Sequence, residues 1–110
     1  MNLDDFTDLQ WLEPWGPTSA GLEAELTREL GPTHPLFGRK AISVGRRADC
    51  DDVLFFLPDN LLPLAVVHLT WTGRREKKPE WPHTTFYASV EDWVVRGMKP
   101  DHCEFAGSSE

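Results

Sequence analysis

The chain has 110 residues, one domain's worth of sequence, with 40% apolar and 26% charged side chains. That composition excludes a disordered tail, a collagen-like repeat and a coiled coil, and no apolar run approaches the roughly 20 residues that a membrane-spanning helix needs. Eighteen acids against eleven Lys and Arg leave a net charge of −7, which argues against general binding to nucleic acid or to an anionic membrane surface.

In chain order, Leu3, Phe6, Leu9 and Leu12 recur every three residues and predict a short amphipathic helix ending before Pro14. Trp15-Gly16-Pro17 reads as a turn. Thr18 or Ser19 is then placed to cap a second helix. Leu22, Leu26 and Leu30 form its apolar stripe, with Glu23, Glu25, Arg28 and Glu29 on the wet side and Gly31-Pro32 as the stop. Residues 31–38 read as a loop. The period changes at Ala41-Ile42-Ser43-Val44, a strand leading into Gly45-Arg46-Arg47, with a polar turn from Ala48 to Asp52.

Val53 to Leu57 is a short apolar run, and Pro58-Asp59-Asn60 makes the next turn. Residues 65–71, β-branched and aromatic, predict the central strand. A charged loop over 72–83 precedes a strand at Thr84 to Ala88. Ser89 caps a last helix with Asp92 at its third position, Val90, Trp93 and Val94 form its apolar side, and Gly97 ends it. The expected architecture is α+β in a single domain over 1–110. Residues 1–30 give two helices, 40–88 an antiparallel meander of about four strands, and 89–105 a C-terminal helix and extension. Leu22, Leu26, Leu30, Val67, Leu69, Trp71, Phe86, Trp93 and Val94 are the expected core.

The charge is segregated. Residues 1–30 hold seven acids and one base, Arg28. Arg39, Lys40, Arg46 and Arg47 follow, then at once Asp49, Asp51 and Asp52. Arg74, Arg75, Lys77 and Lys78 surround Glu76, and the C-terminal segment is acidic again. Such segregation either neutralises across the folded surface or presents an acidic face to a basic partner.

Chemistry-bearing patterns are sparse. His34, His68, His83, His102, Cys50 and Cys103 show no metal-ligand spacing, so no metal or other cofactor is expected. Cys50 lies among three aspartates, which would raise its thiol pKa and weaken it as a nucleophile. Asp49, Asp51 and Asp52 lack the spacing of a calcium loop and read as a solvated turn. Two cysteines make no disulfide framework, and the acidic start Met1-Asn2-Leu3-Asp4-Asp5 is unlike a signal or transit peptide, so a cytoplasmic location is expected.

Val44-Gly45-Arg46-Arg47 followed by Asp52-Val53-Leu54 resembles the first motif of the phosphothreonine-binding FHA domain. The Ser-Arg-x-x-His motif of that family is absent, and the helical start departs from its β-sandwich. The stretch from Val66 to Thr84, with Trp71, the basic run and Trp81 between Pro79 and Pro82, resembles small acidic bacterial proteins of the immunity-protein type. That resemblance implies a non-enzymatic protein-binding module, most specifically an inhibitor that neutralises a toxic effector enzyme. Its partner-facing residues are expected to be Glu23, Glu25, Glu29, Asp49, Asp51, Asp52 and Trp81, set against a basic partner protein. Two alternatives remain. One is a small enzyme or ligand-binding domain using His68 with Arg46 or Arg47 and a carboxylate; the other is a structural or assembly subunit.

Overall fold

A computed structural model describes residues 3–18, 21–71 and 82–106. The elements are α+β, as the sequence predicts, around an antiparallel sheet of five strands in the order β1-β2-β3-β4-β5. The strands are Trp15–Pro17 (β1), Ile42–Arg47 (β2), Asp52–Phe56 (β3), Leu64–His68 (β4) and His83–Tyr87 (β5). The extra strand is β1, the segment read as a turn. Two of its three residues are Gly and Pro, which hide a strand, yet Gly16 pairs with Arg46 at the sheet edge, where Pro is tolerated.

β3, not β4, is central, and its composition says why. Val53, Leu54, Phe55, Phe56 and Leu57 are all buried, because alternate side chains face two different layers. On one face Val53, Phe55, Leu57, Ala65, Val67 and Leu69 pack against Leu22, Leu26, Leu30 and Leu36. On the other, Leu54, Phe56, Leu64, Val44 and Tyr87 pack against Phe6, Trp15, Trp93 and Met98. The sheet is thus the middle of three layers. Helix α1 (Glu23–Glu29) covers one face; the N-terminal segment and the C-terminal helices cover the other.

The first expected helix is only a 3-10 turn, Leu3–Phe6. A three-residue repeat is the period of that tighter helix, and beyond it Leu9, Trp11 and Leu12 are partly buried against the sheet. Helix α1 starts at Glu23 after Leu22 and has no side-chain cap. Thr18 instead donates its amide to the Val44 carbonyl at 3.2 Å, and Ser19 lies outside the described residues. The Ser89 cap forms as expected, its Oγ accepting from the Asp92 amide at 3.0 Å, while Asp92 accepts in return from the Ala88 amide at 2.9 Å.

Gly97 does not end the helix. The chain runs through α2 (Val90–Trp93), a π-turn (Val94–Met98) and α3 (Lys99–Phe105), which carries Pro100 in its first turn. What Gly97 supplies is closeness: a Cβ there would stand 2.8 Å from the Trp93 ring and 3.2 Å from the Tyr87 hydroxyl. Gly45 does the same for the sheet. A bulge at Ser43/Gly45 turns this residue under Trp11, whose ring would lie 2.6 Å from any Cβ.

The expected core is otherwise met, with one exception. Phe86 and Val94 are partly buried, but Trp71 is 44% exposed. β4 stops at His68, and Trp71 sits at φ +59°, so the alternation carrying Val67 and Leu69 inward ends before it. Among the described residues no helix is long and apolar enough to cross a membrane.

Candidate functional site

The register of the sheet assembles a row that no linear spacing announces. Trp15 pairs with Arg47, Asp52 with His68, and His68 with His83. Arg46 pairs with Val53, so Arg47 falls beside Asp52. Trp15, Arg47, Asp52, His68 and His83 therefore cross all five strands on one face, at one end of the sheet. Directly opposed residues share a face, which makes this placement a consequence of backbone pairing.

Arg47 organises the row. Its guanidinium forms a two-point pair with Asp49 at 2.9 and 2.8 Å. It also lies 3.4 Å from Asp101 of α3 and 3.9 Å from Asp52. Asp101 accepts in addition from Trp15 Nε1 at 2.8 Å. The Asp49 hydrogen bond raises the Arg47 pKa and holds the Asp49 carboxyl below the usual range. Asp52 in turn binds His68 Nδ1 at 2.7 Å, as expected of a hydrogen-bonded strand histidine. Asp51 is exposed in the same turn. Three carboxylates thus converge on one guanidinium, with Asp51 in the same turn, so among the described residues of this row acids outnumber Arg47.

Cys50 sits among these groups. Burial pushes its thiol up, against the pull of a hydrogen bond from the Asp52 backbone and with smaller help from the Asp52 charge, so it is a poor nucleophile at neutral pH. Cys103 is exposed, and both cysteines are free. Among the described residues no group of three or more His, Cys, Asp or Glu side chains converges as a metal site would.

The other expected contact residues lie elsewhere, and two contradict their placement on the wet side of α1. Glu25 is 4% exposed and Glu29 is fully buried. Glu29 accepts from the Thr70 amide at 2.9 Å and from the Trp71 amide at 2.8 Å, holding the corner after β4. Burial first, then its hydrogen bond with Glu25, push the Glu29 carboxyl up to about 7 against the pull of those amides. Glu25 also pairs with Arg28 at 2.9 Å. Glu23 is half-buried and accepts from the Ser43 amide (2.6 Å) and hydroxyl (2.9 Å). Burial raises its pKa, but these hydrogen bonds and one from its own amide outweigh burial and bring it below the usual range.

Three carboxylates assigned to a partner thus serve the fold. Arg46 points to the opposite face from Arg47 and does not join His68. Trp81 and the basic run at 74–78 lie outside the described residues. Asp101, which joins the site through Trp15, was not singled out from sequence, because 86 positions separate the two.

Comparison with protein-family models, with curated proteins and with solved structures finds no match. The functional argument therefore rests on the geometry of this chain.

Proposed function

We propose that the chain is a non-enzymatic protein-binding module that presents the acidic end of its sheet to a basic partner. The most specific form of this reading is a cytoplasmic, immunity-type inhibitor of a toxic effector enzyme. One observation carries it. Asp52, placed by strand register, and Asp101, placed by α3, converge on Arg47 with Asp49, and Asp51 lies in the same turn, so among the described residues this end of the sheet carries a platform of clustered acids ordered around one guanidinium. Carboxylates already ordered in this way lose little freedom on binding and steer a cationic surface toward the module. Glu25 and Glu29 of α1 are committed inside the fold and stand apart from this platform.

The test is co-expression with the product of the adjacent reading frame. That product should arrest growth, the wild-type chain should relieve the arrest, and Asp49→Lys with Asp51→Lys should abolish the relief while the purified variant still unfolds in one cooperative transition. Persistent arrest with the wild-type chain, or full relief by the double variant, would contradict the reading.

One observation favours a second reading, a small ligand-binding site. Asp52 fixes the His68 ring through Nδ1 beside Arg47, the constellation that site would need. His68→Ala separates the two, because it should remove ligand binding and leave the acidic platform in place.

A further inference from the structure

The two edges of the sheet are built differently. The edge formed by β1 is closed. At its two ends Thr18 donates to the Val44 carbonyl and Ala48 to the Pro14 carbonyl, so Gly16 turns its backbone groups toward β2 and Trp15 and Pro17 turn theirs outward. The Trp15 amide is bonded to the Leu12 carbonyl at 3.0 Å, and Pro17 has no amide hydrogen. Nothing on that edge can donate to an added strand.

Among the described residues the β5 edge is open. Leu69 donates to Asp51 and Leu57 to the Pro63 carbonyl, which fixes the odd-numbered residues of β4 toward β3. Leu64, Val66 and His68 therefore face β5 and bond Tyr87, Thr85 and His83. Thr84 and Phe86 are left with both amide and carbonyl pointing away from the sheet, and no described strand lies beyond them. The strand carries none of the usual protections: His83-Thr84-Thr85-Phe86-Tyr87 contains no Lys, no Pro, no Gly and no bulge.

We infer that β5 pairs antiparallel with β5 of a second copy of this chain, about a two-fold axis at Thr85. The pattern is self-complementary. With Thr85 opposite Thr85, Thr84 of each copy faces Phe86 of the other, and all four outward backbone groups of each strand are satisfied. His83 then faces Tyr87 across the seam. The strand holds no Asp, Glu, Lys or Arg, so no like charges are brought face to face. Phe86, only partly buried in the monomer, gains cover from its neighbour. The pairing is isologous and closes on itself, because the β1 edges at the far ends of the joined sheet cannot propagate it. This inference is independent of the acidic platform.

Sedimentation equilibrium tests it. The wild-type chain should run at twice its 12.5 kDa, and more salt should tighten the dimer by screening two chains of net charge −7. Thr85 is exposed, so Thr85→Lys leaves the core intact while placing two cations at the axis. It should weaken self-association by about tenfold or more. Thr85→Glu should do the same, and an equimolar mixture of the two variants should dimerise again, which only pairing of residue 85 with residue 85 explains. A wild-type chain that stays monomeric up to roughly millimolar concentration, or a dimer indifferent to both substitutions, overturns the proposal. A strand added only by another protein would appear as the first of these outcomes.

Discussion

Trp93→Ala should be the most damaging single substitution in the chain, lowering stability by about 3–5 kcal/mol. Trp93 is fully buried, and its ring makes edge contacts with Trp15 at 5.2 Å and Trp11 at 5.7 Å between centroids. It joins the N-terminal segment, β1 and the C-terminal helix, so the cavity would open where three chain segments meet. Among the described residues its buried indole Nε1 has no hydrogen-bond partner, a cost that the aromatic packing offsets. Trp93→Phe, which removes that nitrogen and keeps a ring, should therefore cost much less than the alanine.

Gly97→Ala should cost about 1–3 kcal/mol by overpacking, since the new Cβ would meet the Trp93 ring at 2.8 Å and that ring is pinned on its other sides. In the Trp93→Ala background most of the Gly97→Ala cost should disappear, leaving only the Tyr87 contact, a non-additivity that a double-mutant cycle of urea unfolding reads directly.

The second large effect is on pH dependence. A carboxyl moved from 4.5 to about 7 in the fold stabilises the protein fully only below 4.5, and this contribution is lost as pH rises through 7. By pH 8 the loss from Glu29 should approach roughly 3 kcal/mol. Glu29→Gln imitates the protonated acid. Its amide oxygen can still accept from Thr70 and Trp71, and its NH2 can donate to Glu25. The variant should match wild type near pH 4.5 and be markedly more stable at pH 8. Unfolding midpoints at several pH values test this, and parallel profiles for the two proteins would rule out the buried acid pair as the cause.

Glu25 and Glu29 also show what the sequence made legible. With the stripe at Leu22, Leu26 and Leu30, positions 25 and 29 complete the i, i+3, i+4, i+7, i+8 face of a helix. The periodicity already placed them inward; only their charge argued for the wet side. The physical reason for acids there is the Thr70–Trp71 corner, whose amides need an acceptor, and that corner is 41 positions away from Glu29.

The Leu stripe, the Ser89 cap and the four longer strands were readable because each is a local pattern. β1 was not, since Gly and Pro make up two of its three residues and disfavour a strand that forms where β2 offers it an edge. The row Arg47–Asp52–His68 was legible as residue types, with His68 and Arg47 already paired in one expectation. Asp101 was not, because it joins Arg47 through the packing of α3 across the sheet.

The most direct test of the acidic platform is the salt dependence of association with the adjacent reading frame's product, measured for two charge reversals. Asp49→Lys with Asp51→Lys changes the platform. Asp59→Lys changes an exposed acid in the turn between β3 and β4, at the other end of the sheet. At low salt the platform variant should associate about tenfold or more slowly than wild type, and high salt should erase most of that difference. The Asp59 variant should stay close to wild type at both. Equal slowing by the two variants would reduce the effect to net charge, and wild-type kinetics in the platform variant would place the interface elsewhere.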